Sequence, residues 1–148
     1  MKILVPVDRS PLDAAVIPYA SKIGKRLRAS LAILHVISPM HSLVPGALRQ
    51  AQAYAQVVAQ GLCDDGIAAE AYYAKGDPAP MILSVAEEVE ADMIAMGTHG
   101  RRGMGKLMLG SVAEVIVSTS AVPVLLIRVP ALEEEYGNGV RHRRAETA

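Results

Sequence analysis

Met93-Ile94-Ala95-Met96-Gly97-Thr98-His99-Gly100-Arg101-Arg102-Gly103-Met104-Gly105-Lys106-Leu107-Met108-Leu109-Gly110-Ser111 is the stretch on which the reading of this chain turns. A short apolar run ends in a glycine-rich, cationic segment, which leads into an apolar helical pattern from Val112. Strand, glycine loop and helix N-terminus, in that order, make a receptor for phosphate. Glycines let the backbone approach an anion, and the unpaired amides of a first helical turn receive it at the positive end of the dipole. Arg101, Arg102 and Lys106 supply counter-charge. Ser111 offers a hydroxyl and an N-cap, and Glu114 three residues later completes a capping box. The implied ligand is a nucleotide phosphate. A P-loop is excluded: Gly100 to Lys106 satisfies Gly-x4-Gly-Lys, but Leu107 stands where a magnesium-binding Ser or Thr is required.

Working outward, strand and helix patterns alternate along the chain. Lys2 to Val7 reads as a buried strand, and Ser10-Pro11-Leu12-Asp13 as a helix start with Ser10 at N-cap, Pro11 at N1 and Asp13 at N3. That helix is expected to run to about Arg28, with Val16, Tyr19, Ala20, Ile23 and Leu27 on its apolar face. Leu31 to Ile37 is the second strand. The second helix spans Gly46 to Asp65, with a stripe of Leu48, Ala51, Tyr54, Ala55, Val58 and Leu62. Ile67 to Ala74 is a weaker, alanine-rich strand suited to an edge. Gly76-Asp77-Pro78 opens a third helix that runs to about Glu90, and Asp92 to Met96 is strand four. Val112 to Ser118 anchors helix four, and Val122 to Val129 is strand five. Strands separated by helices imply right-handed βαβ crossovers, hence a doubly wound α/β domain with a parallel sheet between two helical layers.

Composition agrees. The chain has 148 residues, enough for one domain, and 51% of them are hydrophobic. Mean hydropathy is +0.27, yet no apolar run approaches the ~20 residues of a membrane helix. A sheet covered on both faces accounts for that apolarity. Phe and Trp are absent, so the core is aliphatic. The 15 basic and 15 acidic residues cancel, which favours neither nucleic acid nor an anionic membrane as partner. Cys63 has no second cysteine to pair with and reads as a small, at least half-buried hydrophobe. The N-terminus starts directly in a strand pattern without signal-peptide features, so the expected location is the cytoplasm. Residues 130–148, with an acidic triplet, a Gly-Asn-Gly break and a basic cluster, are expected to be a polar, flexible tail after a domain spanning 1–129.

Two motifs together carry a resemblance. Pro6-Val7-Asp8-x-Ser10 at the end of strand one and Gly97-x2-Gly100-x9-Gly110-Ser111 after strand four resemble the universal stress protein family, in its ATP-binding subclass. The resemblance implies a Rossmann-like sheet of order 3-2-1-4-5, related to the adenine nucleotide α-hydrolases. Ligands of such sheets bind at the switch point, outside the carboxyl ends of strands one and four. It further implies that Asp8 meets the adenosine end of a nucleotide, and that Ser10 is a helix cap first and a contact second. Val36 would offer its backbone to adenine, with Pro6, Val7, Met96, Gly97, His99, Gly100, Arg101, Gly110, Ser111 and Val112 completing the site.

The functional expectation is an ATP-binding sensor or regulator of a stress response, homodimeric through Val122–Val129. Mg²⁺ would be carried by the phosphates and water. His35 reads as a satisfied strand-end histidine, and no catalytic residue is assigned, so the protein is not expected to be an enzyme. A competing class is a slow ATP hydrolase or nucleotidyl-transfer enzyme. Related folds use His-x-x-His or Ser-Gly-Gly-x-Asp-Ser for that chemistry, and the chain has neither. The third class is a dimeric interaction module that binds no ligand.

Overall fold

Pro6 decides the shape of the sheet. In the computed structural model, which describes residues 1–100 and 109–130, strand β1 (Lys2–Val7) lies at the centre of a five-stranded sheet. Lys2 faces β4 (Met93–Gly100) with both backbone groups: its amide donates to Asp92 Oδ2 at 2.7 Å and its carbonyl accepts from the Asp92 amide at 2.8 Å. Strand alternation puts Leu4 and Pro6 on the same edge. Pro6 has no N–H to donate there. The β1–β4 register accordingly runs only through Ile3↔Met93 and Leu4↔Ile94. On the other side β1 pairs with β2 (Ser30–Ile37) along its whole length, Lys2↔Ser30 to Val7↔His35. The strands part where Pro6 stands, and a crevice opens.

The remaining strands are β3 (Ala69–Lys75) and β5 (Val124–Pro130), in the order β3-β2-β1-β4-β5 with every pair parallel. Helices α1 (Asp13–Leu27) and α2 (Ala47–Asp64) cover one face. Helices α3 (Pro78–Glu88) and α4 (Ser111–Thr119) cover the other. Ile3, Val5, Leu31 and Ile33 pack toward the first layer, Leu4, Leu34 and Ile94 toward the second, each at most 1% exposed. The expected fold class and order are what the molecule has, and β3 is an edge strand.

Several boundaries and faces differ from the sequence reading. Helix α1 starts at Asp13, after a Ser10–Asp13 turn, and Ser10 is not its N-cap. Its buried face is Asp13, Val16, Ala20 and Gly24, whereas Tyr19 and Leu27 are 54% and 46% exposed. In α2 the buried residues are Ala51, Ala55, Ala59 and Leu62, and Leu48 is 46% exposed. Small residues let a helix approach the sheet closely: a Cβ on Gly24 would sit 3.2 Å from Leu31 Cδ2. Cys63 is exposed, its thiol 3.4 Å from the Ala69 carbonyl. Strand β5 starts at Val124 rather than Val122, and β3 at Ala69 rather than Ile67. Of the expected 130–148 tail, Pro130 instead ends β5, and residues 131–148 lie outside the described residues.

Candidate functional site

At the carboxyl ends of β1 and β4 the crevice forms a cavity of about 300 Å³, at the lower end of small-molecule sites. Its walls come from both sides of the parted strands: Val36 lies one residue before the end of β2, Ile82 rises from α3, and Met96 faces the same layer from β4. The first turn of α4, Ser111, Val112 and Ala113, lines it together with Asp8 and Asp13. A mostly apolar slot thus takes in both a helix N-terminus and carboxylate residues.

The carboxylate part of this lining is built around Asp13. This side chain is 5% exposed and turns back from α1 into the β1–α1 loop. Its Oδ2 accepts from the Arg9 amide at 2.7 Å, the Asp8 amide at 3.2 Å and Tyr54 Oη at 2.7 Å. Arg9 is held at φ 65°, a left-handed conformation that costs a non-glycine residue about 1–3 kcal/mol. The Arg9 guanidinium lies 6.0 Å from the Tyr54 ring centroid and donates to Gln50 Oε1 at 3.3 Å. His35 meets Tyr54 edge-on at 5.8 Å and donates from Nδ1 to the Ala51 carbonyl at 3.3 Å, so it is a satisfied buried histidine. Burial raises the Asp13 pKa above the ordinary carboxylate value. The Tyr54 and Arg9 hydrogen bonds oppose the rise, the Asp8 charge adds to it, and the Asp8 amide opposes it. Burial and the Asp13 carboxylate likewise push the Tyr54 phenol upward.

The glycines do different work from that expected of them. Gly97 is in strand β4, paired with Ile127, because β5 offers a partner for the whole segment through Gly100↔Pro130. A Cβ on Gly97 would stand 2.5 Å from Val16 Cγ2. Close seating of α1 on the sheet therefore requires this glycine, before any ligand does. Gly110 is the N-cap of α4 at φ −63°, ψ 161°, and Ser111 is the first helical residue rather than the cap. Among the described residues no side-chain hydrogen bond caps α4, and a Cβ on Gly110 would meet none of them within 4 Å.

A family model described as the universal stress protein family matches residues 1–128. The universal stress protein YxiE of Bacillus subtilis is 31% identical over 145 residues, which cover 86% of this chain and 98% of that one. The chain belongs to the universal stress protein family. Among solved structures, the universal stress protein from Archaeoglobus fulgidus in complex with dAMP has a TM-score of 0.69 at 20% identity, covering 86% of this chain and 97% of that one. A universal stress protein in complex with cAMP has a TM-score of 0.62 at 23% identity, covering 86% and 96%. At these identities the two structures share the fold.

In this universal stress protein, Pro6, Val7, Asp8, Val36, Met96, Gly97, Gly110, Ser111 and Val112 line the cavity together. Ser10 does not line it. Its amide donates to Asp8 Oδ1 at 2.9 Å, and its hydroxyl accepts from the Leu12 amide at 3.3 Å, which shapes the loop. His99 and Gly100 extend β4 opposite Val129 and Pro130. Arg101, Arg102 and Lys106 lie outside the described residues. The cavity also takes in Asp13, Pro78, Ile82 and Thr98, which the sequence reading missed as site residues. Thr98 had only a slight signal, a hydroxyl two residues past the apolar run Met93–Met96. Asp13 was hidden by its plausible role as a helix N3 residue.

Proposed function

We propose that this universal stress protein binds an adenine nucleotide, ATP with Mg²⁺ foremost, in the β1–β4 crevice, and acts as a nucleotide-dependent sensor or regulator of a stress response rather than as an enzyme. The observation that carries this reading is the mixed lining of the cavity. The first turn of α4 and the carboxylate residues Asp8 and Asp13 line the same apolar slot. Helix amides attract phosphate, whereas the loop amides of Asp8 and Arg9 are already taken by the Asp13 carboxylate. Phosphates therefore belong at α4 and the sugar near Asp8, with the base against Val36, Ile82 and Met96. Thr98 fits a polar ligand. It is 3% exposed, and its hydroxyl has no hydrogen-bond partner among the described residues, an arrangement that is costly unless something satisfies it. The dAMP and cAMP complexes of other family members support an adenine nucleotide as the ligand class.

Among the described residues no three His, Cys, Asp or Glu side chains converge to hold a metal. Mg²⁺ would therefore bind through the phosphates and water. Likewise, no helix among them is long and apolar enough to cross a membrane, in keeping with the cytoplasmic location we propose. Ligand ordering the site is a shift of population, which needs different affinity in the two states. The working unit we propose is a homodimer through β5.

Mass spectrometry of nucleotide released from the purified protein, thermal melts with added Mg²⁺-ATP and a multiple-turnover phosphate assay test the proposal together. ATP at a hundredfold its dissociation constant is expected to add roughly 2.7 kcal/mol of stability without sustained phosphate release. Because a Cβ at Gly110 meets none of the described residues within 4 Å, Gly110→Val is expected to fold normally and lose affinity through obstruction of the ligand. No melting shift at millimolar ATP, with nothing already bound, sinks the reading. Sustained turnover moves the protein to the enzyme class.

A further inference from the structure

We propose that Asp13 is a positioning residue of the nucleotide site: clamped by Tyr54 of α2, it fixes the loop that presents Asp8 to the ligand. This rests on the function proposed above and adds a residue pair to it. Asp13 and Tyr54 are 41 positions apart and joined by a 2.7 Å hydrogen bond. On its other side the same Asp13 oxygen holds the amides of Asp8 and Arg9. Asp8 is thereby gripped twice, at its amide by Asp13 and at its Oδ1 by the Ser10 amide. Its Oδ2 makes no hydrogen bond among the described residues, and Asp8 is one of the residues that line the cavity.

The left-handed Arg9 backbone is what turns the chain between these two grips, and a non-glycine residue does not stay there unaided. The bonds from Asp13 supply the restraint, and the Arg9 guanidinium over the Tyr54 ring ties the same residue to α2. Helix α2 contributes no residue to the cavity lining, yet through Tyr54 it sets the geometry of the carboxylate residues. Without the clamp, Asp8 must be ordered when the nucleotide arrives, and affinity falls by the cost of that ordering.

The experiment is a double-mutant cycle on Mg²⁺-ATP affinity, measured by titration calorimetry on the full chain, with ligand-free melting curves for every variant. Asp13→Ala is expected to weaken binding roughly ten- to a hundredfold. Asp13→Asn, which keeps an oxygen where all three donors point, is expected to restore most of it. Tyr54→Phe, which keeps the ring and loses one bond, should weaken binding roughly two- to tenfold. In an Asp8→Ala background the Asp13→Ala penalty should vanish, because the residue acts through Asp8. A general loss of structural integrity would instead lower affinity equally in both backgrounds, and that equality overturns the proposal. So does an Asp13→Ala protein that binds as tightly as the wild type. Wild-type protein that takes up no ATP overturns the proposed function itself, and this inference with it. The ligand-free readout is the ¹H–¹⁵N spectrum: the Asp8 and Arg9 amide signals should move in Tyr54→Phe while those of α3, on the other face of the sheet, stay in place. If they do not move, the clamp is absent.

Discussion

Asp13 titrates in an unusual direction for a hydrogen-bonded carboxylate, because burial outweighs the three donors around it. Its folded pKa lies above its unfolded value, so the folded state takes up the proton more readily. The associated stability is fully present below the unfolded pKa and is lost as pH rises through the folded one. Asp13→Asn keeps an acceptor and removes the titration. It is expected to flatten the decline in stability that starts at the ordinary carboxylate value and continues up to the raised one, as read from urea melts across that interval. An unchanged slope would assign the decline to other groups. Gly97 makes a second prediction at this scale. With Val16 Cγ2 only 2.5 Å from a new Cβ, Gly97→Ala is expected to cost about 1–3 kcal/mol. Combined with Val16→Ala, which removes the clashing methyl, it should cost less than the sum of the two single changes. Strict additivity in the denaturation series would count against this contact.

At the scale of elements, the expected apolar faces hold for Val16, Ala20, Ala51, Ala55 and Leu62, with Ile23, Tyr54 and Val58 packed at the margin of the core, and fail for Tyr19, Leu27 and Leu48. Val16, Ala20 and Gly24 in α1, and Ala51, Ala55 and Ala59 in α2, run at four-residue steps along the buried side. Their size lets each helix seat closely on the sheet, and Tyr19, Leu27, Leu48 and Val57 are left exposed. Ala55→Leu, at a position with 0% exposure, is therefore expected to cost about 1–3 kcal/mol. Val57→Ala, at 70% exposure, should change stability by no more than about 0.5 kcal/mol. Urea midpoints of the two variants check the contrast, and the reverse order would mean that α2 is rotated. The same packing limits what can be learned from β5. Leu125 and Ile127 pack against the α1–α2 layer, Val124 and Leu126 against the α3–α4 layer. Charges placed on these residues would unfold the subunit before they tested any interface.

For the whole molecule, β5 is hydrogen-bonded to β4 on one side only among the described residues. An edge strand made largely of Val, Leu and Ile is a liability for an isolated subunit. The proposed antiparallel pairing with β5 of a second copy under two-fold symmetry would satisfy its free backbone groups. Light scattering over a dilution series is expected to show a mass twice that of the 148-residue chain. In the dimer, hydrogen exchange should be slow on both edges of β5. A single-chain mass at every concentration, with fast exchange along one edge, would leave the interface without support.

The sequence by itself determined the alternation of strands and helices and the parallel sheet those alternations require. Each rests on a local signal, the hydrophobic period and Pro and Gly punctuation. Strand order, and with it the place of the crevice, came from the family resemblance and holds in the molecule. Only the tertiary structure decided why Gly97 is glycine, how far β4 runs, and what Asp13 does. Gly97 answers to Val16 in a preceding helix, β4 extends because β5 pairs with it, and Asp13 answers to Tyr54 on another helix. These partners are remote in the chain. A periodic pattern says which side of an element is apolar, but which residue a side chain finally touches depends on how closely the layers pack.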